Sequence, residues 1–204
     1  MNTVSPLLIY VLIAVVSYLL GSLSPSIFIS SHFFGGDVRG RGSGNAGATN
    51  MARVFGMLAG VATLLADMAK TGLAVFLGHR LMGDTGLCTA GIACMVGHCF
   101  PVFHKFKGGK GISAGAAIGF AIDWRVGLTI LAVFLLVALL SKKVSLGSVC
   151  AAVAITAASL AFHVSTPKLV LAVVGMILAV FQHRSNIARL LAGTEADFRP
   201  GKAK

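Results

Sequence analysis

Residues Gly97 to Gly111 read GHCFPVFHKFKGGKG and lie between strongly apolar stretches. They include two histidines, three lysines, a proline and four glycines. A bilayer penalises such residues unless they line a polar site. In Lys107-Gly108-Gly109-Lys110-Gly111 the glycines let backbone N–H groups turn toward an anion and the lysines add positive charge, a combination suited to phosphate. The G-x-x-x-x-G-K-[ST] spacing of a nucleotide-binding loop is absent. A basic loop that only fixes membrane orientation would have the same composition.

Two further stretches share this chemistry. His32 to Arg53 (HFFGGDVRGRGSGNAGATNMAR) interleaves Gly42, Gly44 and Gly47 with Ser43, Asn45, Thr49 and Asn50, and carries Arg39, Arg41 and Arg53. Short hydroxyl and amide side chains among glycines suit an anion nest or a phosphate-binding helix N-terminus, or more simply a flexible loop with a helix cap. Near the C-terminus, Gln182 to Glu195 places His183, Asn186 and Leu190 on one helical face. His183 and Asn186 offer a neutral donor and acceptor to a hydroxyl or phosphate, although a basic amphipathic helix lying on lipid headgroups would look alike. Gly193 is placed to cap that helix.

Other chemistry is poorly supported. Asp67 and Lys70 are three apart within an apolar run and read as a structural ion pair, with support of the site as the second reading. His79 and Asp84 have the H-x-x-x-x-D spacing of a large acyltransferase class, but chance supplies such a match easily and the loop falls on the opposite membrane face. Cys88, Cys94, Cys99 and Cys150 form no C-x-x-C pair, and no metal-ligand set or Gly-x-Ser-x-Gly elbow is present.

The elements that must position these residues are membrane helices. The chain has 204 residues, 56% hydrophobic and 11% charged, with a mean hydropathy of +0.90 and a net charge of +11. Soluble domains carry about 25% charged residues, so residues 1–204 read as one all-α polytopic membrane domain. The basic excess then marks cytoplasmic loops and anionic ligands, with no need for nucleic acid. Leu7–Ile29 is the first span, a retained helix because no basic n-region or A-x-A site accompanies it. Val54–Leu77 is the second, His79–Thr85 a loop, and Leu87–Val96 opens the third. Ile112–Ile122 is a short fourth, reaching about 16 Å against a hydrocarbon core of about 30 Å. Val126–Leu140, Leu146–Phe162 and Leu169–Phe181 follow. Seven segments with the N-terminus outside place thirteen lysines and arginines on one side and only Arg80, Arg125 and Lys168 on the other. The positive-inside rule makes the richer side, which holds all three polar stretches and the C-terminus, cytoplasmic. The residues alone thus give a membrane protein with a cytoplasmic site for phosphorylated ligands, and an organophosphate or anion transporter fits as well as an enzyme.

Three motifs narrow this. Gly42-Ser43-Gly44-Asn45-Ala46-Gly47-Ala48-Thr49-Asn50, then Gly97-His98 through Phe106-Lys107-Gly108-Gly109-Lys110-Gly111, then His183-Arg184-Ser185-Asn186-Ile187 through Gly193-Thr194-Glu195, together resemble the signatures of the bacterial acyl-phosphate:glycerol-3-phosphate acyltransferases. The resemblance spans the chain, departing at Ser113-Ala114 and Ala196-Asp197. It implies transfer of a fatty acyl group from acyl phosphate to the sn-1 hydroxyl of glycerol 3-phosphate, giving 1-acyl-glycerol 3-phosphate and phosphate. It implies a seven-helix protein of the bacterial inner membrane with its active site facing the cytoplasm. Acyl phosphate is already activated, so no covalent nucleophile, cofactor or metal is expected. On this reading Ser43, Arg53, Lys110, His183 and Asn186 are catalytic. Gly44, Asn45, Thr49, Asn50, Lys107, Gly108, Gly109 and Gly111 bind substrate. The general base is His183 or the substrate's own phosphate dianion. The expected partners are glycerol 3-phosphate, acyl phosphate, membrane lipid and the soluble enzyme that forms the labile acyl phosphate.

Overall fold

The computed structural model describes residues 5–201, which are all helix, turn or loop, with no strand among them. Helix α1 (Pro6–Ser22) and α2 (Pro25–Phe33) form one apolar stretch broken at Leu23-Ser24. The break sits where Pro25 opens α2: the residue before a proline avoids the helical region, and proline itself is tolerated at a first helical position. The expected continuous span Leu7–Ile29 is therefore two helices. Helix α3 (Ala48–Phe55) stops at Gly56, whose φ of 92° ends it before α4 (Met57–Cys99) begins, so the expected start at Val54 lies in α3.

The 43 residues of α4 turn back on themselves. Helical geometry is lost only at Met82 (φ −139°, ψ 23°) and Gly83 (φ 59°, ψ −147°). The loop expected over His79–Thr85 shrinks to these two residues, because a glycine at positive φ turns the chain in the least length. The two arms lie antiparallel: Gly78 and Gly86 meet with no room for a Cβ, Thr71 accepts from Cys94 at 3.6 Å, and Asp67 lies 3.3 Å from His98. Each pair sums to nearly the same residue number, the register of a helical hairpin.

Helix α5 (Ile112–Ile122) is short and meets α6 (Trp124–Ser141) at Asp123, whose side chain accepts the Arg125 N–H at 2.8 Å. Helices α7 (Val144–Ala161), α8 (Thr166–Gln182) and α9 (Arg184–Leu191) follow, with a 61° bend between the last two. The core is formed where α5 to α8 close on the second arm of α4, around Met95, Ile118, Val126, Ile155, Leu171 and Ala179. A smaller cluster of Val38, Met51, Phe55 and Ala59 seats α3. Large apolar residues such as Leu58, Leu139 and Leu140 face outward, as lipid-exposed side chains do. Among the described residues, four stretches are long and apolar enough to cross a membrane, and the bent α8–α9 pair would make a fifth. All four cysteines are free. Lys202 and Lys204, which entered the charge count, lie outside the described residues.

Candidate active site

A cavity of about 750 Å³ brings the three polar stretches together. Ser43, Asn45, Thr49, Asn50 and Arg53 line it from the first, Lys110 and Gly111 from the second, and His183, Asn186, Arg189 and Glu195 from the third. Most of its remaining wall is apolar and includes Met68, Met95, Ile118, Phe120, Leu131 and Phe134. The first turns of α3, α5 and α7 also border it through Thr49, Ile112 and Ser145, and no side chain caps any of these helices. Uncapped helix N-termini present unpaired N–H groups and partial positive charge, which favour an anion.

In the first stretch Asn50 is the organiser. It is buried, its Oδ1 accepts from the Ser43 N–H at 2.9 Å, and its Nδ2 donates to the carbonyls of Val38, Arg41 and Asn45 at 3.2, 3.1 and 3.0 Å. These bonds shape the loop around Ser43, which needs positive φ at Gly42 (59°) and Gly44 (73°). The expected ligand role of Asn50 thus meets a side chain already engaged by backbone. Gly44 shapes the loop and does not line the cavity. Arg39, given no individual role from the sequence, fastens this stretch to the next. It pairs with Asp37 at 2.7 Å and donates to the carbonyls of His104 and Lys107 at 2.9 and 3.2 Å. The Arg39 guanidinium holds the Asp37 carboxyl below its ordinary pKa.

The second stretch divides. The Gly108 N–H donates to Cys99 O at 3.2 Å and the Gly109 N–H to His98 O at 3.0 Å. Their amides are not the open anion nest expected of them. Both glycines are there for close packing: a Cβ on Gly108 would press on Pro101 and the carbonyl of Cys99, and one on Gly109 on the His98 ring. Lys107 is exposed and outside the cavity. Lys110 and Gly111 remain on the wall, Gly111 at φ 82° turning the chain into α5. The Lys110 ammonium donates to Asn186 Oδ1. Burial, with Arg189 and Arg53 nearby, lowers the Lys110 pKa despite the opposing pull of Glu195.

The third stretch is built by a helix end. Gly193, at φ 68°, follows α9; its N–H donates to Leu190 O at 3.1 Å and that of Thr194 to Arg189 O at 2.8 Å. This Schellman turn brings Glu195 back over α9, where it accepts from Asn186 Nδ2 at 2.7 Å and Arg189 Nε at 2.6 Å. Burial pushes the Glu195 carboxyl up, but the neighbouring Ser145 hydroxyl and the bonds from Asn186 and Arg189 outweigh it and the pKa falls below its ordinary value. Lys110, Asn186, Glu195 and Arg189 thus form one chain of contacts. Neither Glu195 nor Arg189 was assigned from sequence, although Glu195 is the single glutamate of the chain. His183 is buried at the bend, and its Nδ1 donates to Ala179 O at 2.8 Å. Since a carbonyl can only accept, Nδ1 carries the proton and Nε2 keeps its lone pair.

No group of three or more potential metal ligands occurs among the described residues. Three cations, Arg53, Lys110 and Arg189, face one carboxylate at the polar end of an otherwise apolar cavity. That arrangement suits an amphiphile with an anionic head.

Comparison with known proteins agrees. The profile of the glycerol-3-phosphate acyltransferase family matches residues 11–193. The chain is 42% identical over 186 residues to the glycerol-3-phosphate acyltransferase of Thermoanaerobacter sp. (strain X514), covering 91% of this chain and 94% of that one. It is 38% identical over 200 residues to the corresponding protein of Endomicrobium trichonymphae, covering 97% and 100%. Its fold is similar to the crystal structure of PlsY (YgiH), an integral membrane glycerol 3-phosphate acyltransferase, in its glycerol 3-phosphate form, with a TM-score of 0.89 and 33% identity over 93% of this chain and 96% of that one. The lysophosphatidic acid form of PlsY gives a TM-score of 0.86 at 32% identity, covering 93% and 95%. The chain therefore belongs to the glycerol-3-phosphate acyltransferase family.

Proposed function

We propose that this protein transfers a fatty acyl group from acyl phosphate to the sn-1 hydroxyl of glycerol 3-phosphate, releasing 1-acyl-glycerol 3-phosphate and phosphate. The observation that carries this reading is the cavity itself, cationic at one end and apolar along the rest. The cationic end suits two phosphate-bearing groups, and the apolar wall suits a fatty chain. PlsY was solved with the same two chemistries in view, a glycerol 3-phosphate form and a lysophosphatidic acid form.

The chemistry needs no enzyme nucleophile, because the acyl–phosphate bond is a mixed anhydride with phosphate as its leaving group. Catalysis then rests on holding two anions together and stabilising charge as it develops on the carbonyl and on the departing phosphate. Lys110, Arg53 and the N-termini of α3 and α5 serve that end, and the Ser43 hydroxyl lies on the same wall. Asn186, fixed between Lys110 and Glu195, orients glycerol 3-phosphate. The hydroxyl proton passes to His183 Nε2, whose lone pair the Ala179 carbonyl secures, or to the substrate's phosphate dianion. A pH–rate profile whose shape survives His183→Ala assigns it to the phosphate.

The same reading sets the protein in the bacterial inner membrane with seven segments, the N-terminus outside and the cavity's polar end in the cytoplasm. The two arms of α4 count as separate crossings and α5 as the short one. The charge bias of the loops supports that orientation. The deciding assay offers purified protein glycerol 3-phosphate with acyl phosphate, acyl-coenzyme A or acyl carrier protein as donor. Lysophosphatidic acid is expected from acyl phosphate alone. Absence of product there, with uptake of glycerol 3-phosphate into proteoliposomes, would favour a transporter instead.

A further inference from the structure

Behind the second polar stretch lies a charged cluster that the transfer reaction does not use. Asp67, Lys70 and His98 are all buried where α1 and the two arms of α4 meet. Asp67 Oδ1 lies 2.8 Å from Lys70 Nζ and 3.3 Å from His98 Nδ1, and Lys70 Nζ lies 3.3 Å from that same nitrogen, so the three groups form a closed triangle. Lys70 Nζ also donates to Gly21 O at 3.0 Å and Leu23 O at 2.5 Å, the carbonyls left open where α1 breaks before Pro25. An ion pair alone would need only two of these groups. The third, His98, meets the pair through Nδ1 and turns its opposite ring edge toward Gly109. It borders the cavity, its carbonyl accepts the Gly109 N–H at 3.0 Å, and its imidazole edge abuts Gly109 so closely that a Cβ there would collide with it. Gly109 immediately precedes Lys110, whose ammonium reaches Asn186.

We propose that Asp67 and Lys70 act through His98 to position Lys110: the Asp67–Lys70 pair fixes the His98 ring through Nδ1, and the ring and carbonyl of His98 fix the backbone at Gly109. These are positioning residues, with no contact to substrate required. The Asp67 carboxylate and the Lys70 amine lie 2.8 Å apart, a pairing that a low-dielectric interior tolerates. The cluster's members come from the two arms of α4, and Lys70 reaches the end of α1, so it carries the geometry of the hairpin and of the α1 break to the loop that holds the lysine. The inference rests on the acyltransferase reading for its assay but not for its geometry.

A double-mutant cycle tests it. Wild type, His98→Ala, Gly109→Ala and the double variant are purified, checked for monodispersity and melting temperature, and assayed for kcat and KM with both substrates. Since misplacement of a catalytic group by about 1 Å can cost on the order of 100-fold, each single variant is expected to lose roughly 10- to 100-fold in kcat with a smaller change in KM. The double variant is expected to be no worse than the weaker single, because removing the ring makes room for the Cβ it would otherwise meet. His98→Gln, which keeps a polar side chain facing Asp67, recovers part of the loss, and it replaces His98→Ala in the cycle if that variant does not fold. Folded single variants with kcat within about twofold of wild type, or losses that multiply in the double variant, overturn the proposal. An inactive wild type would instead refute the acyl-phosphate reading and leave melting temperatures to report the coupling of His98 to Gly109.

Discussion

Two charged clusters sit near opposite ends of the α4 hairpin, and they use similar residues to different effect. At the turn, Asp84 accepts from Ser165 at 2.5 Å and lies 3.4 Å from Lys168 and 3.5 Å from His79. Its charge is met by partners of its own, and the cluster ties the hairpin turn to the start of α8. At the cavity, Arg53, Lys110 and Arg189 face Glu195 alone, and the imbalance is directed into an open space with an apolar wall. Charge that is matched locally holds structure. Charge that exceeds its local partners and borders a cavity is available to a ligand. The H-x-x-x-x-D spacing of His79 and Asp84, which resembles a catalytic signature, belongs to the first kind.

The contrast can be tested from its strongest side downward. Lys110→Ala should lower kcat/KM with acyl phosphate by at least about 100-fold, the loss that follows removal of one electrostatic stabiliser, while the melting temperature stays near that of wild type. Lys110→Arg sharpens the test through pH. Because the Lys110 pKa is depressed, the lysine loses its proton as pH rises at a value below the ordinary 10.5, and activity should fall on that limb. Arginine does not titrate there, so whatever activity Lys110→Arg retains should lack that limb.

Glu195 gives an intermediate effect. Its pKa is lower folded than unfolded, so its contribution to stability is present above the ordinary value of 4.5 and is lost as pH falls through the depressed folded value. Glu195→Gln should abolish that acid-side loss of melting temperature and weaken the placing of Asn186 and Arg189. Melting curves between pH 3 and 7 with parallel kcat measurements would show both, and an unchanged acid limb in the variant would remove Glu195 from the link. At the far cluster, Asp84→Asn should leave kcat within about twofold and cost no more than about 1 kcal/mol, as exposed ion pairs do. A loss of activity comparable to that of Lys110→Ala would erase the distinction between the two ends.

Much of this contrast was legible in the chain. The three polar stretches stand out in so apolar a sequence, the family resemblance selects Ser43, Arg53, Lys110, His183 and Asn186 within them, and all five border one cavity. The bias of basic residues fixed which loops belong together. What remained hidden were cases where one residue type serves two physical ends. Gly108 and Gly109 read as amides offered to an anion, whereas close approach to His98 and Pro101 demands glycine equally. Asn50 reads as a ligand, but only the fold shows three carbonyls around its amide. Glu195 could not be placed without the Schellman turn at Gly193 that folds it back. The extent of the α4 turn depended on antiparallel packing of the two arms, which periodicity does not report.

The central claim is that the cavity joins two phosphate-bearing substrates and passes the acyl group directly between them. Simultaneous measurement of inorganic phosphate and lysophosphatidic acid from purified protein supplied with acyl phosphate and glycerol 3-phosphate tests this most directly. The two products should appear in equal amounts, should depend on glycerol 3-phosphate, and should both vanish in Lys110→Ala. Phosphate release without glycerol 3-phosphate, or full turnover in Lys110→Ala, would contradict it.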